Sequence, residues 1–186
     1  MMTQEVLDDG ERRMRKAIEA LIHDMATVRT GRASPALLDA VSVDYYGTPT
    51  PINQLASVNA ADARSLVITP YDRSAVNEID KAIRKADLGL NPTNDGTMLR
   101  VIVPPLTEDR RREMVKVLHK KLEEHKIAVR NVRREAHDKL KAMEKDKSAT
   151  ADEVRRAGER LQKLTDKSIQ EMEDLGSAKE SEILSV

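Results

Sequence analysis

Residues 107–147 read TEDRRREMVKVLHKKLEEHKIAVRNVRREAHDKLKAMEKDK, a run with no Pro and no Gly. Val115, Leu122, Val129, Ala136 and Met143 recur every seventh position, with Leu118 and Val132 between them on the same seam. A seven-residue apolar rhythm buries one helix face against partner helices in coiled-coil-like packing. Thr107-Glu108-Asp109 supplies a cap and an acidic first turn, so a helix is expected from there to about Asp146. At 1.5 Å per residue such a helix is about 60 Å long. Working outward, Leu7, Met14, Leu21 and Val28 keep the same interval, flanked by Ile18 and Met25. Beyond a short turn near Lys147–Ala149, Thr150-x-x-Glu153 forms a capping box. Val154, Leu161 and Leu175 then resume the rhythm, helped by Ala157, Leu164 and Met172. Three long helices predict an elongated bundle.

The chain between the first two helices has a different character. All seven prolines and all three tyrosines lie between Pro35 and Pro105. Proline inside a helix costs roughly 3 kcal/mol, whereas turns and strand edges accept it. Val41-Ser42-Val43-Asp44-Tyr45 alternates as a strand does, and Leu66-Val67-Ile68 and Val101-Ile102-Val103 are short β-branched runs. Asn94-Asp95-Gly96 is a turn, and Val76, Ile79 and Ile83 mark a short helix between Ser74 and Ala86. The fold class expected is therefore α+β. Residues 1–30 and 105–186 would make a discontinuous three-helix bundle, with 31–104 as an inserted β/α/β module. Thr30, Gly31, Pro104 and Pro105 lie at the joints and are expected to form a hinge, with Pro stiffening one of the two connections.

Composition removes many functions. The chain has 186 residues, 32 Lys+Arg against 32 Asp+Glu, and no Cys, Phe or Trp. Disulfides, thiolate metal sites and thiol nucleophiles are excluded, in keeping with a reducing cytoplasm. Aromatic stacking platforms are largely excluded too. No apolar run approaches the roughly 18 residues of a membrane span. The segment Met1–Lys16 carries Glu5, Asp8, Asp9 and Glu11 and reads as neither a secretory signal nor a transit peptide. Neither a nucleophile elbow nor a phosphate-binding Gly-rich loop is present. His119 and His125 are six residues apart, a poor metal spacing, and His125 falls on the seam as a satisfied core histidine would. No catalytic residue, metal or cofactor is expected.

Charge is unevenly spread despite the neutral total. Residues 107–147 hold 14 Lys+Arg and 9 Asp+Glu, whereas 148–186 hold 6 and 9. On the basic helix Lys126, Arg130, Arg133, His137 and Lys141 project to one side, and Arg134 borders them. A solvated helix face accounts for such a stripe, but three of the cations are Arg, the better fork for phosphate oxygens. Glu135 and Asp138 offset the stripe only in part. A nucleic-acid contact here would read backbone and shape. Arg29 and Arg32 flank Gly31 at the end of the first helix, where either helix capping or a second phosphate contact explains them.

Five segments carry a resemblance: Arg29-Thr-Gly-Arg-Ala-Ser-Pro35, Tyr45-Tyr-Gly-Thr-Pro-Thr-Pro51, Asp87-Leu-Gly-Leu-Asn-Pro92, Pro104-Pro-Leu-Thr-Glu108 and Val129-Arg-Asn-Val-Arg-Arg134. In order and spacing they closely resemble bacterial ribosome recycling factors, with Glu135 standing where that family often has Asp. The resemblance implies an L-shaped monomer of tRNA-like dimensions that binds the large ribosomal subunit. With the GTPase elongation factor G it would split post-termination ribosomes. It implies rRNA contacts at Arg130, Arg133 and Arg134, which Lys126 and His137 would extend, and at Arg29 and Arg32. The segments Tyr45–Pro51 and Pro70–Arg73 would lie toward protein partners. A protein-binding helical adaptor and a general RNA chaperone are the alternatives; overall neutrality disfavours the latter.

Overall fold

A computed structural model describes residues 2–185. Its packing divides the chain into two units, residues up to Val28 with Arg112–Ser185, and Arg29–Arg111.

The helical unit contains α1 (Thr3–Ala26), most of α4 (Glu108–Lys145) and α5 (Ala151–Leu184). The seven-residue stripes form its core: Met14, Leu21, Leu118, Leu140, Leu161 and Met172 are all buried. Val115, Leu122, Leu164 and Leu175 pack against that core while partly exposed. Thr107 Oγ1 accepts the Arg110 N–H at 3.2 Å and opens α4. At the start of α5 Thr150 Oγ1 accepts from the Glu153 N–H at 3.1 Å, and Glu153 Oε2 accepts from the Thr150 N–H at 2.9 Å. This reciprocal pair satisfies two donors that a helix start otherwise leaves open. Between α4 and α5 the chain reverses with Lys147 at φ 62°, and the Ser148 and Ala149 N–H groups both donate to the Met143 carbonyl. Cross-helix ion pairs fix the bundle register. Asp24 of α1 accepts from Lys121 Nζ at 2.7 Å and lies 3.1 Å from His125 Nε2, and Arg13 meets Glu135 at 2.6 Å.

The sheet unit holds two antiparallel sheets. β1 (Ser42–Tyr45) and β2 (Thr48–Pro51) form a hairpin with Tyr45 opposite Thr48. Its two turn residues, Tyr46 and Gly47, have φ of 51° and 81°, the left-handed pair that matches strand twist in a two-residue turn. A one-turn α2 (Ile52–Leu55) leads into β3 (Ala56–Asp62), followed by β4 (Ser65–Pro70), α3 (Val76–Lys85), β5 (Pro92–Asn94) and β6 (Leu99–Ile102). These strands line up in the order β3-β4-β6-β5. Val76, Ile79 and Ile83 of α3 are buried in one cluster with Leu66, Ile68, Leu99 and Val101. Pro49, Pro51 and Pro92 sit on edge strands, where no ladder donor is lost.

The two packing units divide at Val28/Arg29 and Arg111/Arg112, and the expected 31–104 module lies within the second of them. The Ala33 N–H donates to the Ala63 carbonyl at 2.8 Å, and the Val103 N–H to the Arg64 carbonyl at 2.7 Å. A side chain at Gly31 would stand 3.6 Å from Leu106. The two hydrogen bonds fasten Ala33 and Val103, which lie inside the expected module, and Gly31 faces Leu106 across the two connections.

Candidate nucleic-acid interface

The long helix presents its cations on the side away from its buried seam. Val129, Val132, Ala136 and Leu140 are buried, which turns Arg130, Arg134 and His137 outward, while Arg133 lies half-buried at the α5 border. No hydrogen bond or ion pair within the described residues holds Arg133, Arg134 or His137. Arg130 reaches only Glu123, at 3.4 Å. Glu135, whose sequence position suggests it neutralises this ridge, is turned to Arg13 on α1 instead. Arg133 and Arg134 thus face no internal carboxylate among the described residues.

Lys126 departs from expectation. Its Nζ lies 3.0 Å from Glu173 of α5, and its side chain is only 13% exposed. It stands about 40° around α4 from Arg130, and Glu173 on the facing α5 draws it into the bundle. It is an interhelical tie rather than part of the exposed ridge. His125 fits the satisfied-core reading through its contact with Asp24, while His119 meets Glu180 at 3.2 Å on the surface. Among the described residues no cluster of three His, Cys, Asp or Glu is arranged to hold a metal.

In the sheet unit Arg29 is half-buried and Arg32 exposed. Neither side chain is paired with a carboxylate among the described residues. The Arg32 N–H donates to Thr30 Oγ1 at 3.4 Å. Gly31 has φ 82°, a left-handed conformation that strains residues with a Cβ. Pro104 and Pro105 are exposed. The tyrosines occupy another region. Tyr46 and Tyr71 are 80% and 73% exposed, and the Tyr45 hydroxyl donates to Asp72 at 3.1 Å. That contact and the Ser74 N–H hold the Asp72 carboxyl below its usual range, the Ser74 bond being the larger cause.

Sequence reasoning missed a groove of about 460 Å³ between the C-terminal half of α4 and the start of α5. Arg133, His137 and Lys141 line one side, and Arg155, Gly158 and Gln162 the other. The negative balance of residues 148–186 hid the α5 side.

Residues 21–184 match the sequence pattern of the family described as Ribosome recycling factor. The chain belongs to the ribosome recycling factor family. Ribosome-recycling factors of Bacillus subtilis and Halalkalibacterium halodurans are 54% and 52% identical over 185 residues, covering 100% of both chains. Among solved structures, a solution structure of the ribosome recycling factor superposes with TM-score 0.77 at 47% identity, covering 99% of this chain and 98% of that one. A Thermus thermophilus ribosome recycling factor, described together with Escherichia coli elongation factor G bound to the E. coli post-termination complex, gives TM-score 0.69 at 46% identity. It covers 99% of this chain and 100% of that one. The α+β composition, with long helices and small sheets, is that of this family. By family and relatives' names, the members are non-enzymatic translation factors.

Proposed function

We propose that this protein recycles ribosomes: it binds the large subunit of post-termination complexes through rRNA and, with elongation factor G and GTP, splits them into subunits in the cytoplasm. Family membership carries this reading, since residues 21–184 match the ribosome recycling factor pattern. No helix among the described residues is long and apolar enough to cross a membrane.

The contact surface proposed is the exposed face of α4: Arg130, Arg133, Arg134 and His137, with Arg29 and Arg32 as a second contact. Arg133, Arg134, Arg29 and Arg32, guanidinium groups with no internal carboxylate among the described residues, keep their full attraction for phosphate, and charge-assisted bonds are the strong ones. Thr30 and Gly31 on one connection and Pro104-Pro105 on the other are proposed as the hinge. The exposed tyrosine side of the sheet unit is proposed to face elongation factor G.

The division of labour follows from energetics. A ligand shifts an equilibrium only by its differential affinity for the two states. Binding that is stronger to the free large subunit than to the intact ribosome favours separation. The work of driving it comes from GTP hydrolysed by elongation factor G. The 38-residue α4 is a stiff element on which to carry the grip.

Light scattering of post-termination ribosomes tests the reading. Splitting is expected only when this protein, elongation factor G and GTP are all present; splitting by the protein alone defeats it. Arg133→Ala is expected to weaken large-subunit binding by on the order of 1–3 kcal/mol with helicity unchanged, as measured by a salt-controlled binding assay and circular dichroism.

A further inference from the structure

We propose that the α4–α5 groove seats the sugar–phosphate edge of a single RNA strand, so that α5 supplies a second wall of the ribosome-facing surface. The proposal rests on the recycling reading above and adds a site to it.

The groove is asymmetric in charge. On the α5 side Arg155 is held by Asp152 at 2.8 Å and Glu159 at 2.9 Å. On the α4 side Lys141 has Glu144 at 3.9 Å. Both lining carboxylates, Glu144 and Glu159, are therefore engaged with lining cations. Arg133 and His137 are not engaged within the described residues. The unspent positive charge of the groove, that of Arg133, lies at one rim, where phosphates would sit.

The opposite rim is shaped for close approach. A Cβ placed on Gly158 would meet no atom within 4 Å, so this glycine is not demanded by helix packing. Gly10 and Gly176, by contrast, lie against side chains of neighbouring helices. A mid-helix glycine weakens the helix relative to alanine. Its effect here is a notch beside Gln162, whose amide can both donate and accept. A ribose, with hydroxyls of both kinds, fits that rim. No aromatic side chain lines the groove, so a stacked base is not what it is built to hold.

Continuity favours RNA over an acidic peptide. Arg133 and His137 belong both to the groove and to the α4 ridge. A strand lying across them continues onto Arg130 and Arg134 with phosphates still facing cations. An extended peptide would need partners for its backbone amides, and the floor offers the apolar Leu140, Val154 and Leu161 instead.

Gly158→Leu fills the notch from open space and tests the inference by bulk. Its affinity for isolated large subunits is expected to fall about tenfold, with circular dichroism as for the parent and a melting temperature no lower. Gln162→Glu tests the same rim by charge and is expected to weaken binding at least threefold, with the loss growing at low salt. A photo-crosslinking residue at Gln162 should label rRNA. Crosslinks to ribosomal protein alone would overturn the proposal, as would parental affinity in a folded Gly158→Leu. If Arg133→Ala still weakens binding in that case, only the groove is lost. If Arg133→Ala is also silent, the ridge assignment fails with it.

Discussion

Lys126 and Arg133 show how much one carboxylate on the facing helix decides. Both read as cations on the same stripe, yet one is tied to Glu173 and the other has no internal partner. Periodicity gives angles around α4, but it does not say where the neighbouring helix begins to cover the stripe. Lys126→Ala should therefore cost about 0.5–1 kcal/mol of stability in denaturant titration, the range of a single cross-helix ion pair. It should leave large-subunit affinity as it was, the reverse of Arg133→Ala. Two glycines of α5 make a second contrast. Gly158→Ala should raise stability by about 0.5–1 kcal/mol, because helix propensity improves and nothing is displaced. Gly176→Val should lower it by about 1–3 kcal/mol, since a Cβ there would stand 2.8 Å from Leu122 Cδ2, and the larger side chain overpacks that contact. Thermal unfolding of the two variants measures both signs. From sequence alone these glycines are indistinguishable, because their difference lies in what α4 places opposite each.

At the level of elements, helices were legible because a seven-residue interval persists for dozens of residues and caps mark its ends; Thr150 with Glu153 is such a mark. Strands were legible only where a β-branched run is buried, as in Leu66–Ile68. β3 escaped notice because Asn59-Ala60-Ala61-Asp62 is exposed and holds no β-branched residue, so its pairing with β4 supplies the structure that its side chains do not advertise. β2 and β5 escaped because proline masks an edge strand. The junction of α1 with α4 carries a pH prediction. Hydrogen bonds from Lys121, and then from His125, hold the Asp24 carboxyl below its ordinary value of 3.8. A carboxyl depressed in the folded state contributes stability above its unfolded pKa and loses it as pH falls through the folded one. Asp24→Asn is thus expected to destabilise the protein by about 1–2 kcal/mol at pH 7. The gap between variant and parent should begin to narrow as pH falls below about 4, where the unfolded carboxyl protonates, and close only once pH has passed below the depressed pKa of the folded carboxyl. Melting temperatures across pH 2–7 measure that convergence.

On the scale of the whole molecule, the order of segments along the chain has a consequence for synthesis. The helical unit is assembled from residues up to Val28 and from Arg112 onward, whereas Arg29–Arg111 is contiguous. Emerging from the exit tunnel, the sheet unit is complete while α5 is still untranslated, and contiguous units fold as they appear. During that interval the apolar stripe of α1, from Val6 to Met25, has neither of the helices that bury it. The nascent polypeptide therefore carries an uncovered greasy helix for nearly its entire translation. Holdase chaperones that capture such helices are expected to bind it co-translationally and to let go once α5 has left the tunnel.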